Sequence, residues 1–188
     1  MQQQSQRMHL MIKDLLALSQ LETGEKPLQH RPTDICKLLH SVVEDAKRLE
    51  HFHQHQINLH CLSEKWLMAD ADELRSAISN LVFNAVKYTP AETQIDVRWD
   101  IEGEFAVIEV KDTGEGIAQH HLDRLTERFY RVDSGRARET GGTGLGLAIV
   151  KHVLQRHKAE LLIQSAIGEG SSFKCCFPAK NVMDKIDI

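Results

Sequence analysis

A glycine-rich loop that runs directly into an apolar helix constrains this chain more than any other feature. The segment GGTGLGLAIV at 141–150 places Gly142, Gly144 and Gly146 immediately before and within the start of a helical pattern. Loop amides and the positive end of a helix dipole together form a cradle for phosphate groups. The segment lacks the lysine of a P-loop, and no strand immediately precedes it, so it fits neither the P-loop nor the dinucleotide-binding motif. The loop therefore predicts a phosphate-binding fold of another kind.

Around this loop, helical and strand patterns are interspersed, and several strand pairs are joined by tight turns. That arrangement favours a mixed, largely antiparallel sheet with helices on one face. We therefore predict an α+β fold, a two-layer α/β sandwich whose sheet is covered by three helices. The predicted helices span about 1–22, 34–53, 70–88, 118–125 and 145–157, and the predicted strands span 56–62, 66–68, 94–101, 105–112, 161–167 and 171–177.

The first 22 residues contain neither glycine nor proline, and Met8, Met11, Leu15 and Leu18 follow one another at spacings of a heptad seam. Such a seam predicts a partner helix or a second subunit, and the alternative is a helix that docks on its own domain. The predicted organisation is a helix at 1–23, one domain at 24–180 and a flexible tail at 181–188.

Composition excludes some functions. The net charge of −4 offers no general surface for a phosphate backbone, so the sequence predicts no nucleic-acid partner. No apolar run approaches the roughly 20 residues that cross a bilayer. The four cysteines show no C-x-x-C spacing and are predicted to be reduced and unpaired, as in a cytoplasmic protein. They are Cys36, Cys61, Cys175 and Cys176.

Polar residues mark one face of the predicted helix at 70–88. Asn80, Asn84 and Lys87 are spaced four and three residues apart, so they share a face. An amide oxygen suits a hard Mg²⁺ ion, and a lysine one turn later suits a phosphate. Taken alone, the pattern is more often that of an ordinary polar helix face.

Two further glycine turns follow predicted strands. In DTGEGI at 112–117, Asp112 stands where a strand ends and could accept a hydrogen bond from an amine such as adenine N6. Gly114 and Gly116 permit a flat ligand to approach the backbone closely. Each turn alone is weak evidence, because most such strings are simple turns. The second is GEGSSF at 168–173, which alone would be a hairpin.

The order of these segments is more specific than any one of them. N-x-x-x-N-x-x-K, D-x-G-x-G, LTERFYR, G-x-G-x-G and G-x-G-[ST] follow one another along the chain. In this order they resemble the catalytic and ATP-binding domain of histidine kinases, within the wider family of gyrase B, Hsp90 and MutL. The resemblance covers residues 25–178. Three segments are most similar in sequence to phosphate-regulon sensor kinases: LRSAISNLVFNAVKYTP, LTERFYRVD and GGTGLGLAIVKH. It implies a Bergerat-type site for ATP and Mg²⁺.

The resemblance also implies a role for each matching residue. Asn84 would coordinate Mg²⁺, Asn80 and Lys87 would act at the phosphates, and Asp112 would bind adenine N6. The segment at 131–142 would be a mobile lid. The other implied nucleotide-binding residues are Tyr88, Gly114, Gly116, Ile117, Phe129, Tyr130, Arg131, Gly142, Thr143, Gly144, Leu145, Gly146, Leu147 and Ser171, the last standing where the family usually carries threonine.

Asn80 separates two branches of this family. The ATP-hydrolysing members carry a glutamate at this position to activate water, and an amide cannot accept a proton at neutral pH. The resemblance therefore implies transfer of the γ-phosphoryl group to a histidine and then to the aspartate of a response regulator. The alternatives are an ATPase of the gyrase or Hsp90 type and a nucleotide-binding module without catalysis.

None of the eleven histidines lies in the H-[ED]-x-[RK]-[TS]-P string that carries the phosphoacceptor in such kinases. In the family the acceptor lies on a dimerisation hairpin, and residues 1–23 resemble the end of the second helix of that hairpin. The implied partners are this dimerisation domain, in a homodimer, and a response regulator. The implied location is the cytoplasmic side of a bacterial inner membrane, with a role in phosphate-starvation signalling.

Overall fold

The structure, a computed structural model, describes residues 2–24, 27–49, 55–132 and 142–186. Its helices are α1 (Gln2–Thr23), α2 (Ile35–Leu49), α3 (Ala71–Tyr88), α4 (Gln119–Leu122) and α5 (Gly146–Arg156). Its strands are β1 (Arg31–Thr33), β2 (Gln56–Cys61), β3 (Trp66–Ala69), β4 (Gln94–Glu102), β5 (Phe105–Asp112), β6 (Glu160–Ala166), β7 (Gly170–Pro178) and β8 (Val182–Met183).

The strands form a main sheet and a small one. The main sheet has the order β2-β4-β5-β7-β6, in which β2 and β4 are parallel and the other neighbours are antiparallel. The small sheet has the order β1-β3-β8 and is antiparallel. These features confirm the predicted α+β fold with a mixed, largely antiparallel sheet.

The hydrophobic core lies between one face of the main sheet and helices α2, α3 and α5. Ile95, Val97 and Trp99 alternate along β4 and are fully buried on this face. The opposite face is polar, and there Arg98 pairs with Glu109 of β5 at 3.1 Å. Alternation along the strands therefore produces the two-layer arrangement, because only one face has apolar side chains to bury.

Helix α3 begins at a polar junction that also fixes the end of α5. The carboxylate of Asp70 caps α3 by accepting the N–H groups of Asp72 and Glu73 at 3.1 and 3.2 Å. The N–H of Asp70 donates to Nε2 of His157 at 3.0 Å, and Nδ1 of His157 bonds to the carbonyl of Val153 at 2.8 Å. His157 is 1% exposed. With Nε2 accepting and Nδ1 donating, the imidazole at this junction is neutral.

The neutral state of His157 predicts an acid-sensitive stability. Burial lowers the pKa of His157 from its ordinary value of 6.5, so the unfolded chain takes up this proton at a higher pH than the folded chain. We expect the free energy of unfolding to fall as pH drops below about 6.5 and this contribution to be constant above about pH 7. Urea unfolding of the wild type and His157→Gln between pH 5 and 8 checks this. Parallel pH profiles for the two proteins would contradict it.

The N-terminal helix divides its apolar residues between two environments. Leu18 is 1% exposed and packs into the core of the domain, whereas Met8 and Leu15 are 65% and 39% exposed. At Leu18 the helix therefore docks on its own domain, and the partner helix or second subunit predicted from the seam stays a prediction. Within the described residues, no helix combines the length and apolar character that a bilayer crossing requires.

The sequence did not predict β1 and β8, because strands of three and two residues carry no periodicity. Val182 and Met183 pair with Leu67 and Trp66, so part of the predicted flexible tail at 181–188 is a strand of the small sheet. The predicted end of α2 near His53 falls in 50–54, outside the described residues.

The prediction of four unpaired cysteines is wrong for two of them. Cys36, at the start of α2, forms a disulfide with Cys61, at the end of β2, with their Cα atoms 5.8 Å apart. The two residues are separated by 25 positions and meet only when α2 packs beside β2, so no local spacing reveals them. Cys175 and Cys176 are free thiols and are buried in β7.

Candidate functional site

A pocket of about 530 Å³ opens between α3, the end of β5, the start of β7 and the start of α5. This volume lies within the roughly 300–1,000 Å³ that small-molecule sites occupy. The structure brings most of the predicted site residues to its wall. They are Asn80, Asn84, Lys87, Tyr88, Asp112, Gly116, Ile117, Tyr130, Arg131, Gly142, Thr143, Gly144, Gly146, Leu147 and Ser171.

Helix α3 supplies the polar wall. Nδ2 of Asn80 donates to the carbonyl of Ser76 at 2.9 Å, and its Oδ1 faces Gly146 so closely that a Cβ there would lie 2.6 Å away. Asn84 and Lys87 continue this face along the pocket. Nζ of Lys87 would lie 2.7 Å from a Cβ on Gly142. The amide and ammonium groups of α3 thus directly adjoin the glycine-rich loop.

Asp112 forms the acidic floor. It ends β5, lies in register with Ser171 of β7 and is only 6% exposed. Its Oδ1 accepts the N–H of Gly114 at 2.9 Å. Burial raises the pKa of Asp112 above its ordinary value of 3.8, and backbone hydrogen bonds from Gly114 and Ser171 oppose that rise. The site therefore contains a buried carboxylate that is held in place by the turn that follows it.

Gly116 allows the DTGEGI turn to lie against the end of β6. Its φ is +71°, and a Cβ would lie 1.9 Å from the carbonyl oxygen of Ala166. The next residue, Ile117, donates its N–H to Oγ of Ser165 at 2.7 Å. Two chain segments meet here with no room for a side chain, which is the physical reason for glycine.

We expect Gly116→Ala to lower the melting temperature. The positive φ alone costs roughly 1–2 kcal/mol for a residue with Cβ, or about 2–8 °C in a domain of this size. The collision with Ala166 adds to that cost. Gly103→Ala is the matched control, because Gly103 has φ +59° and nothing within 4 Å of an added Cβ. Equal melting temperatures for the two variants would contradict the close-approach argument.

The glycine-rich loop is tied to the segment that precedes the predicted lid. Gly144 has φ +73°, and a Cβ there would lie 2.9 Å from Cα of Phe129. The N–H of Phe129 donates to the carbonyl of Gly144 at 2.9 Å, and Phe129 itself has φ +63°. These contacts hold the loop and the first turn of α5 at the pocket wall, and a helix N-terminus favours an anion there.

Three predicted site residues lie outside the pocket wall. Gly114 turns beneath Asp112, Leu145 is fully buried in the core, and the side chain of Phe129 is 53% exposed. The predicted lid at 131–142 falls largely on 133–141, outside the described residues.

The pocket also contains residues that the sequence did not predict. Phe83 lies on the same helix face as Asn80, Asn84 and Lys87, so helical periodicity could have revealed it. Leu10 and Asp14 come from α1, and no signal in the sequence places that helix beside the pocket. The other additions are Ala85, Thr89, Glu115, Leu125, Val132 and Phe173.

Comparison with known proteins places this geometry in a family context. Residues 69–181 match the family described as histidine kinase-, DNA gyrase B-, and HSP90-like ATPase. The chain is 51% identical, over 98% of its length, to the phosphate regulon sensor protein PhoR of Pseudomonas aeruginosa, of which it covers 42%. The chain thus spans less than half the length of this curated relative.

Solved structures share the fold. The histidine kinase AdeS of Acinetobacter baumannii superposes with a TM-score of 0.74 at 21% identity, over 90% of this chain and 77% of that one. Full-length ShkA, solved in complex with AMPPNP, superposes with a TM-score of 0.78 at 28% identity, over 95% of this chain and 37% of that one.

Proposed function

This chain belongs to the family of histidine kinase-, DNA gyrase B-, and HSP90-like ATPases, and we propose that it is the catalytic, ATP-binding part of a two-component sensor histidine kinase. The observation that carries the proposal is a single pocket that combines the amide-bearing face of α3, the buried Asp112 and the glycine-rich start of α5. Each of the three suits a different part of a nucleotide.

We assign the base to the Asp112 end of the pocket. A buried carboxylate accepts hydrogen bonds, and adenine presents an amino group where guanine presents a carbonyl oxygen. Gly116 and Ile117 line the pocket at this end. The triphosphate then extends towards Lys87 and the loop at 142–146, where the positive charge and the loop amides favour an anion.

Mg²⁺ fits the same arrangement, with Asn84 as its protein ligand. Across the described residues, no group of three histidine, cysteine, aspartate or glutamate side chains could hold a metal ion. Mg²⁺ is commonly held by one or two protein ligands together with substrate phosphates and water. When bound, the ion would neutralise phosphate charge.

Asn80 favours phosphoryl transfer over hydrolysis. Its amide bonds to Ser76 on its own helix and cannot take a proton from water. Positioning and charge neutralisation supply most of the catalysis of phosphoryl transfer. We infer that the acceptor is a histidine on a dimerisation domain and that the phosphoryl group passes to the aspartate of a response regulator. The identity of 51% with PhoR supports phosphate-starvation signalling and a location on the cytoplasmic side of the inner membrane.

A phosphotransfer assay tests this proposal. Incubation with γ-labelled ATP and Mg²⁺ should leave this chain unlabelled, because none of its histidines has the acceptor context. Addition of a fragment that carries the dimerisation hairpin of the full kinase should give acid-labile label on that fragment. Acid-labile label on this chain alone would contradict the acceptor assignment, and steady release of phosphate without an acceptor would support an ATPase instead.

A further inference from the structure

The N-terminal helix contributes a carboxylate to the pocket. Asp14 and Leu10 of α1 line it beside the glycine-rich loop. Oγ1 of Thr143 donates a 2.7 Å hydrogen bond to Asp14 and accepts the N–H of Leu145 at 3.3 Å. A negative charge on α1 thus lies at the loop to which the proposed function assigns the phosphates.

Two further contacts hold α1 against the domain. Leu18, one turn after Asp14, is 1% exposed. Glu22, another turn later, pairs with Arg128 and lies 3.1 Å from Nε2 of His152 on α5. Residues four positions apart share a helix face, so these three contacts form one stripe along α1. We call Asp14, Leu18 and Glu22 the docking stripe.

Two exposed apolar residues form a face on the other side of α1. Ile12 and Leu16 are 54% and 59% exposed. Each is offset from the docking stripe by two positions, which on a helix of 3.6 residues per turn is roughly 200°. The docking stripe is therefore separate from the apolar face, and α1 can contact a neighbouring helix while it is docked.

The carboxylate of Asp14 and the triphosphate of a bound nucleotide repel each other. A carboxylate and a triphosphate carry charge of the same sign, and their repulsion is strong in a partly enclosed pocket because solvent screens it less than in bulk water. Thr143 bonds to Asp14 through the hydroxyl that stands next to the proposed phosphate site. A triphosphate at this loop therefore weakens the contact between Asp14 and Thr143.

We propose that α1 is a nucleotide-linked latch: Asp14 holds α1 on the glycine-rich loop, and binding of ATP weakens that docking. This inference rests on the proposed ATP site. Because linkage between two equilibria is reciprocal, docking of α1 must lower the affinity for ATP by the same factor by which ATP loosens α1. Through the latch, nucleotide binding would change how firmly α1 is docked, and α1 is the helix proposed to connect to the dimerisation domain.

The test compares Asp14→Asn with the wild type by calorimetric titration with a non-hydrolysable ATP analogue and Mg²⁺. The substitution removes the charge and retains an oxygen acceptor for Thr143. We expect Asp14→Asn to bind at least about 5-fold more tightly, the lower end of typical coupling between sites. Glu104→Gln is the matched control, because it removes the same charge from the exposed turn between β4 and β5 and should bind like the wild type.

A second readout follows α1 directly. In the wild type, amide hydrogen exchange over residues 11–22 should accelerate when the analogue binds, and in Asp14→Asn it should be fast already without it. Glu22→Gln, which weakens docking outside the pocket, should also tighten binding, by less than Asp14→Asn. The latch proposal would be wrong if Asp14→Asn bound the analogue no more tightly than the wild type. It would also be wrong if amide exchange in α1 of the wild type were the same with and without the analogue. Failure of the wild type itself to bind would contradict the proposed function, and the latch with it.

Discussion

Replacing Asp112 by asparagine should reduce the affinity for ATP by about 10- to 150-fold, the equivalent of one hydrogen bond to a charged group worth about 1.5–3 kcal/mol. The carboxylate is 6% exposed and is the buried acceptor at the base end of the pocket. An asparagine has one acceptor oxygen, which Gly114 already engages, and its amino group would face the amino group of adenine.

Nucleotide preference separates a lost contact from a damaged fold. Adenine and guanine differ in the group at the edge that Asp112 is proposed to read, a donor in the first and an acceptor in the second. Asp112→Asn should therefore lower the affinity for ATP and also reduce the ratio of the affinity for ATP to the affinity for GTP. Asp123→Asn, on the exposed residue that follows α4, is the matched control and should change neither affinity nor preference. An unchanged preference in Asp112→Asn would contradict the assignment of the base.

Replacing Asn84 by alanine should remove the Mg²⁺-dependent part of the ATP affinity. Loss of groups that merely support a metal ligand costs about 10- to 100-fold in metal affinity, and loss of the ligand itself should cost at least as much. Asn84 is half-buried in the pocket wall and lies outside the fully buried core of α3, so the melting temperature of the nucleotide-free protein should change little.

The control for Asn84 is Asn58→Ala. Asn58 is also a half-buried amide, and its Nδ2 donates to Asp96 at 3.0 Å on the sheet, outside the pocket wall. Titrations with the analogue at zero and saturating Mg²⁺ should show a Mg²⁺ effect in the wild type and in Asn58→Ala only. If Asn84→Ala retains the full Mg²⁺ effect, Asn84 is not the metal ligand.

The sequence predicted those features that local chemistry determines. Spacing placed Asn80, Asn84 and Lys87 on one face of α3, and the glycine patterns located the turns at the edge of the pocket. Strand alternation and tight turns predicted the mixed sheet. In each case the signal lies within a few residues of the feature, so tertiary contacts were not needed to find it.

Features that depend on long-range packing were missed. The pairing of Cys36 with Cys61 requires α2 to pack beside β2. Strand β8 forms only when Val182 pairs with Leu67 of β3, far away in the sequence. The contact between Asp14 and Thr143 joins residues 129 positions apart. The heptad seam of α1 included Leu18, but the docking stripe combines this leucine with Asp14 and Glu22, and no apolar period marks such a face.

A titration followed by amide resonances tests the central claim most directly. Adding ATP with Mg²⁺ to the isotope-labelled chain should shift the resonances of Asn84, of the DTGEGI turn at 112–117 and of the loop at 142–146 together, with one saturating affinity. The polar outer face of the sheet, around Arg98 and Glu109, should not respond. If those three pocket segments stay unmoved while nucleotide is in excess, the pocket does not bind ATP and the account is contradicted.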